Sequence, residues 1–208
     1  MTVRLHLYRI RVIDVVTDLP ERLEVVIRDL RSVVRCPWCG FKTAKVHETR
    51  RVKIKDVPRG RQRVTLVWLR RRFQCDNCSE RHTETHPAIA GKMTARLART
   101  IVTDARQLSI TEIGRRYGVA WHTVMTLVRQ WSQQLEANRR KRRCRIMLVD
   151  ETSLRRRHRY VTVVSNGETG EVLAVVRHRD FRALSTFLTS QGWRWLRGVE
   201  VVVTDGSG

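Results

Sequence analysis

No stretch of this 208-residue sequence approaches the roughly 18 consecutive apolar residues of a membrane span, and its N-terminus has no apolar signal-peptide core. The expectation is a cytoplasmic protein with no membrane contact. Acidic side chains are scarce as well: 20 Asp and Glu stand against 42 Lys and Arg, for a net charge of +22. Cysteine is sparse and odd in number, at five. Without a secretory signal, an odd count argues against a disulfide framework.

What is present is concentrated. Residues 1–30 balance five Arg against five acids, residues 31–145 carry 28 basic against 8 acidic residues, and residues 146–208 carry 9 against 7. Nearly all the excess charge therefore sits in the middle, as in a polyanion-binding module. A solvated basic surface is the alternative. The 41% hydrophobic content supplies real cores for one to two domains.

Four cysteines form two pairs, CPWC (Cys36, Cys39) and CDNC (Cys75, Cys78). Two C-x-x-C knuckles supply four thiolates to one tetrahedral structural zinc. The intervening segment exceeds the usual spacing of about 15–20 residues, so it needs structure of its own. It reads as two strands around a turn at Asp56-Val57-Pro58-Arg59-Gly60, with Val64, Leu66 and Trp68 alternating on one face. Such a hairpin returns the second knuckle to the first, as in a zinc ribbon. His47, His82 and His86 could each replace a ligand, and each alone also reads as an ordinary surface histidine. Cys144 reads as a bystander. Residues 9–16 and 22–28 alternate around Asp18-Leu19-Pro20 and are expected to form a small hairpin packed on the ribbon.

From residue 91 to 135 the periodicity becomes helical, beginning with Met93, Leu97, Ile101 and Ala105. Ser109 and Glu112 fit a capping box that opens a helix with Ile110, Ile113 and Tyr117 inward. Gly118 supplies a turn, and a second helix follows with Val124, Leu127 and Val128 inward. Helix, short glycine turn, helix is the helix-turn-helix signature. Its second helix would present Trp121, His122, Thr123 and Thr126 to bases, with Arg115, Arg116 and Arg129 flanking. Trp121 reads equally well as a packing residue. The run Arg139, Arg140, Lys141, Arg142, Arg143 is too charged to pack. It is either a linker lying on phosphates or a solvated one.

Residues 145–208 read as three meandering strands, a helix over 180–190, and a final strand over 199–204. The first strand delivers Asp150 at its end and the last delivers Asp205. If these two strands pair in parallel, the carboxylates emerge at one sheet edge, close enough to share magnesium or manganese. Such ions position the oxygens of phosphodiester transfer. Aspartate also follows strands as a plain turn residue. The expected architecture is multidomain α+β. It comprises a β-rich hairpin and zinc ribbon (1–88), a helix-turn-helix domain (89–138), a basic linker (139–145) and a partial α/β domain (146–208).

CPWCG, the DVP turn, RRRFQC-DNC, the helix-turn-helix, VDETSLRRRHRYVTVV and VVTDGSG occur in the order found in bacterial insertion-sequence transposases of the ISL-three group. The chain resembles them over essentially its whole length. The resemblance implies a ribonuclease-H-like catalytic domain with a DDE triad and two divalent metals, acting on double-stranded DNA at the inverted-repeat ends of an element. It implies that Asp150 and Asp205 are the first two acids and that Cys36, Cys39, Cys75 and Cys78 hold zinc. It also implies a multimer that synapses two ends. In the family the triad's glutamate lies well downstream of the second aspartate, so the expectation is a truncated chain. Glu151, on the opposite face of an extended strand, does not fill that role. Two functional classes follow: a metal-dependent transposase, or a zinc-dependent DNA-binding protein that occupies element ends without cutting. An RNA-binding ribbon is a third.

Overall fold

The computed structural model describes residues 5–138, 143–155, 159–177 and 181–204. Asp205 and the run Arg139, Arg140, Lys141, Arg142 lie outside the described residues. Contacts divide the chain into two compact units, Met1–Glu136 and Ala137–Gly208.

The first unit is built on one sheet. Strands β1 (Ile10–Leu19) and β2 (Arg22–Asp29) form the expected hairpin. However, β2 also pairs in parallel with β6 (Gln62–Gln74), from Arg22↔Arg63 to Ile27↔Trp68. The hairpin therefore extends the ribbon's own sheet instead of packing on it. The reason lies in β2 itself: every residue from Leu23 to Ile27 is buried, so both faces are covered, which suits an interior strand better than an edge. Strand β5 (Val46–Arg59) pairs antiparallel with β6, and the sheet continues through β9 (Met93–Thr94) to β8 (Ile89–Ala90). Short β7 (Arg81–Thr83) adds to the far end of β6. A separate pair, β3 (Val34–Arg35) and β4 (Lys42–Thr43), brackets the first cysteine knuckle.

The expected alternation of Val64, Leu66 and Trp68 holds: all three are buried in the core with Ile54 and the β2 residues. The turn falls later than expected. Asp56, Val57 and Pro58 belong to β5, and the register between Asp56↔Val64 and Arg59↔Gln62 is irregular there. A bulge tolerates proline, which cannot donate to the ladder. Gly60 and Arg61 make the two-residue turn, and Gly60 takes the positive φ of 59° that such a turn needs at its first position.

Three helices follow: α1 (Ala95–Asp104), α2 (Ile110–Tyr117) and α3 (Trp121–Ala137). Thr94 caps α1 by accepting from the Leu97 amide, and Ser109 caps α2 by accepting from the Glu112 amide. Gly118 ends α2 in the left-handed region, at φ 61°. Leu97, Ile101, Ile113 and Val124 are fully buried between the helices, with Tyr117 and Val119 beside them. Asp56, on β5, ties helices to sheet. Its carboxylate accepts from the Thr94 hydroxyl at 2.7 Å and the Arg96 Nε at 2.8 Å.

The second unit is a four-stranded sheet ordered β12 (Val172–Arg177), β11 (Arg159–Asn166), β10 (Ile146–Arg155), β13 (Val201–Thr204). Helix α4 (Phe181–Gln191) and the unexpected one-turn α5 (Trp193–Leu196) connect β12 to β13. Leu184, Phe187, Leu188 and Trp195 pack on Cys144, Met147 and Val164. Phe181 is 83% exposed at the start of α4. Cys144 is buried, its thiol donating to the Ile146 carbonyl at 3.3 Å.

Candidate metal centre and nucleic-acid interface

The two knuckles are built alike. The Cys36 amide bonds the Phe41 carbonyl at 2.8 Å and the Gly40 amide bonds the Cys36 carbonyl at 2.9 Å. In the second knuckle the Cys75 amide bonds the Glu80 carbonyl at 2.9 Å and the Ser79 amide bonds the Cys75 carbonyl at 3.0 Å. Each fourth residue after the first cysteine turns left-handed, Gly40 at φ 73° and Ser79 at φ 60°. The Thr43 hydroxyl, on β4, bonds the Gln74 carbonyl at 3.0 Å and the Asp76 carboxylate at 2.8 Å, lacing the knuckles together.

All four sulfurs lie within 4.8 Å of one another. Cys36 and Cys78 are 3.6 Å apart, and Cys39 and Cys75 are 3.5 Å apart. A tetrahedron with zinc–sulfur bonds of about 2.3 Å has edges of about 3.8 Å, so the donor set fits one zinc ion. Among the described residues no histidine joins this cluster. His82 instead stacks on Phe73 and meets Trp38 edge-on, and His86 is buried with Nδ1 accepting from the Ala88 amide at 3.1 Å. The crowded thiols pull one another's titration apart. The Phe41 amide at its sulfur lowers Cys39 to about 6. For Cys78 the Glu80 amide pulls down, but burial and the three neighbouring sulfurs prevail and raise it to about 12. A divalent cation removes this conflict by taking all four as thiolates.

The helix-turn-helix surface is formed by the start of α3. Trp121 is 59% exposed, so it is not a core residue. His122, Thr126 and Arg129 are exposed, and Thr123 is half-buried. The Thr126 hydroxyl donates to the His122 carbonyl at 2.8 Å, which leaves its oxygen as an acceptor. Arg115 and Arg116 occupy the last turn of α2, where cations oppose the helix dipole. Arg116 has a packing role as well, 3.5 Å from the Asp104 carboxylate and over the Tyr117 ring. The Tyr117 hydroxyl bonds Asp104 at 2.6 Å, and burial, reinforced by that carboxylate, pushes its pKa up to about 12. Arg143 is exposed near Glu200.

In the second unit β10 and β13 run parallel, in register from Ile146↔Val201 to Val149↔Thr204. Asp150 stands one position beyond the last of these pairs and is exposed. It does not end its strand as expected. Strand β10 runs on to Arg155 because β11 offers it a long β-branched partner, with Asp150 opposite Val163 and Glu151 opposite Thr162. The Thr152 hydroxyl lies 3.5 Å from the Asp150 carboxylate. Sequence reasoning missed Asp56 as the joint between sheet and helices; its partners Thr94 and Arg96 are 38 and 40 positions away, and no local pattern signals them.

Three family models match the chain in order. Residues 32–78 match the zinc-finger of transposase IS204/IS1001/IS1096/IS1165, residues 91–132 match the helix-turn-helix domain of transposase family ISL3, and residues 147–208 match a transposase domain. The chain is 29% identical over 152 residues to the transposase for insertion sequence element IS1001 of Bordetella parapertussis. That alignment covers 71% of this chain and 37% of the relative. The chain thus spans little over a third of that relative's length. No solved structure matches.

Proposed function

We propose that this chain, which belongs to the ISL3 transposases through its three matched domains, binds the inverted-repeat ends of an insertion sequence as double-stranded DNA and takes part in their metal-dependent cleavage and strand transfer. The zinc ribbon is structural, and α3 reads the major groove from its N-terminal end through Trp121, His122, Thr123 and Thr126. The reaction centre is a ribonuclease-H-like sheet in which Asp150 and Asp205 hold magnesium or manganese, acting in the bacterial cytoplasm where the DNA is. One observation carries this reading above the others: the parallel β10–β13 register that runs up to Asp150. A strand order of three antiparallel strands with a fourth in parallel beside the first supports the sheet assignment. A divalent ion there would supply charge neutralisation on the phosphate. The chain's own contribution would be Asp150, exposed one position beyond the last β10–β13 pair, together with Asp205, the residue that follows β13 in the sequence.

The test is a nicking assay on duplexes carrying element ends, with magnesium or manganese, for wild type and Asp150→Ala. With the downstream glutamate of the family's triad present in the same polypeptide, the expected result is nicking by wild type, none by the variant, and equal DNA affinity for both. Tight binding by both with no metal-dependent nicking by wild type would make the protein a DNA-binding regulator instead.

A further inference from the structure

Between the β5–β6 turn and the α2–α3 turn lies a cleft of about 630 Å³. Five of its lining side chains are cations: Arg22, Lys53, Lys55, Arg61 and Arg63. The sheet's period-two alternation explains why they converge. Leu23, Ile54 and Val64 point into the core, so Arg22, Lys53, Lys55 and Arg63 project from the opposite face of three adjacent strands. Arg22 and Arg63 are direct cross-strand partners, and like charges so placed repel. Acidic compensation is thin. Glu24 pairs with Arg22 and, at 3.3 Å, with Lys53. Asp56 lines the cleft but is 3% exposed and already engaged by Arg96. Glu21 is the other carboxylate on the rim.

The far wall is the helix-turn-helix turn itself. Lys55 donates to the Gly118 carbonyl, and the Arg63 guanidinium reaches the Arg115 carbonyl at 3.4 Å. Each keeps further N–H donors for another acceptor. Gly118, which lines the cleft, lies three residues before Trp121, the first residue of α3.

We infer that the cleft is a second DNA-contact surface, in which Lys53, Lys55, Arg61 and Arg63 hold backbone phosphates of the same duplex whose major groove α3 enters. The ribbon hairpin then grips DNA alongside the helix-turn-helix. Phosphate contacts of this kind fix orientation without reading sequence. This inference rests on the DNA-binding reading above and adds a surface to it.

The test compares wild type with the double variant Lys53→Ala/Arg61→Ala, both of which leave the Asp56 joint and the α2 carbonyl bonds intact. Affinity for an element-end duplex and for a random duplex is measured by titration from 50 to 200 mM salt. Each lost phosphate contact removes about 0.9 from the log–log salt slope, so the variant's affinity should fall about 12-fold less than wild type's over that range. The weakening should be equal on both duplexes, with zinc content and thermal unfolding unchanged. An unaltered slope in a variant that folds, beside a wild type that binds with a steep slope, overturns the cleft alone. A wild type that binds neither duplex overturns the DNA-binding reading and the cleft with it. Arg61→Lys should restore part of the slope; failure of that rescue in a protein whose Ala variant lost it would point to a packing defect and also overturn the inference.

Discussion

Asp56 shows how much one carboxylate holds. It is buried, accepts from Thr94 and Arg96, and sits where β5 meets α1. Asp56→Ala would take the carboxylate from the Arg96 guanidinium, now raised in pKa by its bond to Asp56, and leave it the Leu5 carbonyl at 2.7 Å. Because Arg96 keeps 36% of its side chain exposed, the loss should be about 2–3 kcal/mol, below the range for fully buried pairs. Urea unfolding with wild-type zinc content would measure it. Acid acts at other residues. Burial lowers the His86 pKa below its ordinary 6.5, so the fold favours the neutral imidazole, and that stability is complete above pH 6.5 and drains as pH falls below it. For Asp29, burial raises the pKa, but the side-chain and backbone bonds from Arg31 outweigh it and hold it under 3.8. Its contribution persists until pH drops past 3.8. His86→Gln should therefore flatten the decline in unfolding free energy between pH 7 and 5, leaving the loss at lower pH in place. The cysteines were legible in the sequence because each knuckle is a local spacing. The Asp56 contacts were not, because they join residues far apart in the chain.

At the scale of elements, the helix-turn-helix was the most legible part, since cap, apolar face and glycine turn all lie within a short span. Two glycines set its geometry. Gly118 must be left-handed, at φ 61°. Gly114 is helical, but a Cβ there would come within 3.0 Å of the Val119 carbonyl oxygen. Gly114→Ala should push the turn away from α2 and weaken binding to an element-end duplex, while Ser109→Ala should cost about 1 kcal/mol of stability through the lost cap. Comparing DNA affinity with thermal unfolding for the two variants separates these effects: the first should move affinity at least as much as stability, the second stability alone. The β2–β6 pairing was illegible for the opposite reason. Alternation marks a strand but not its neighbour, and a parallel partner 41 residues away, as Ile27 is from Trp68, leaves no local trace.

Over the whole molecule, zinc is expected to stabilise one unit and not the other, since all four cysteines of the centre belong to Met1–Glu136. Chelation should lower or abolish the melting transition of that unit and leave the Ala137–Gly208 transition where it was, as calorimetry with and without chelator would show. The second unit has its own exposure problem. Among the described residues β13 is the edge of its sheet, with Val201, Val202 and Val203 46–54% exposed, and an exposed apolar edge strand invites pairing with another strand. Val202→Lys should reduce concentration-dependent association in light scattering.

The parallel β2–β6 pair also has a consequence in time. Both strands run toward the metal centre, β2 a few residues before Cys36 and β6 directly into Cys75. Bringing β2 beside β6 closes a long loop, and that closure must be made before the contacts reward it. Zinc clasps the two strand ends and shortens the search. Refolding from denaturant should thus be faster when zinc is supplied at the start than when it is added after the chain has collapsed. The metal would then govern how quickly this sheet is reached as well as how long it lasts.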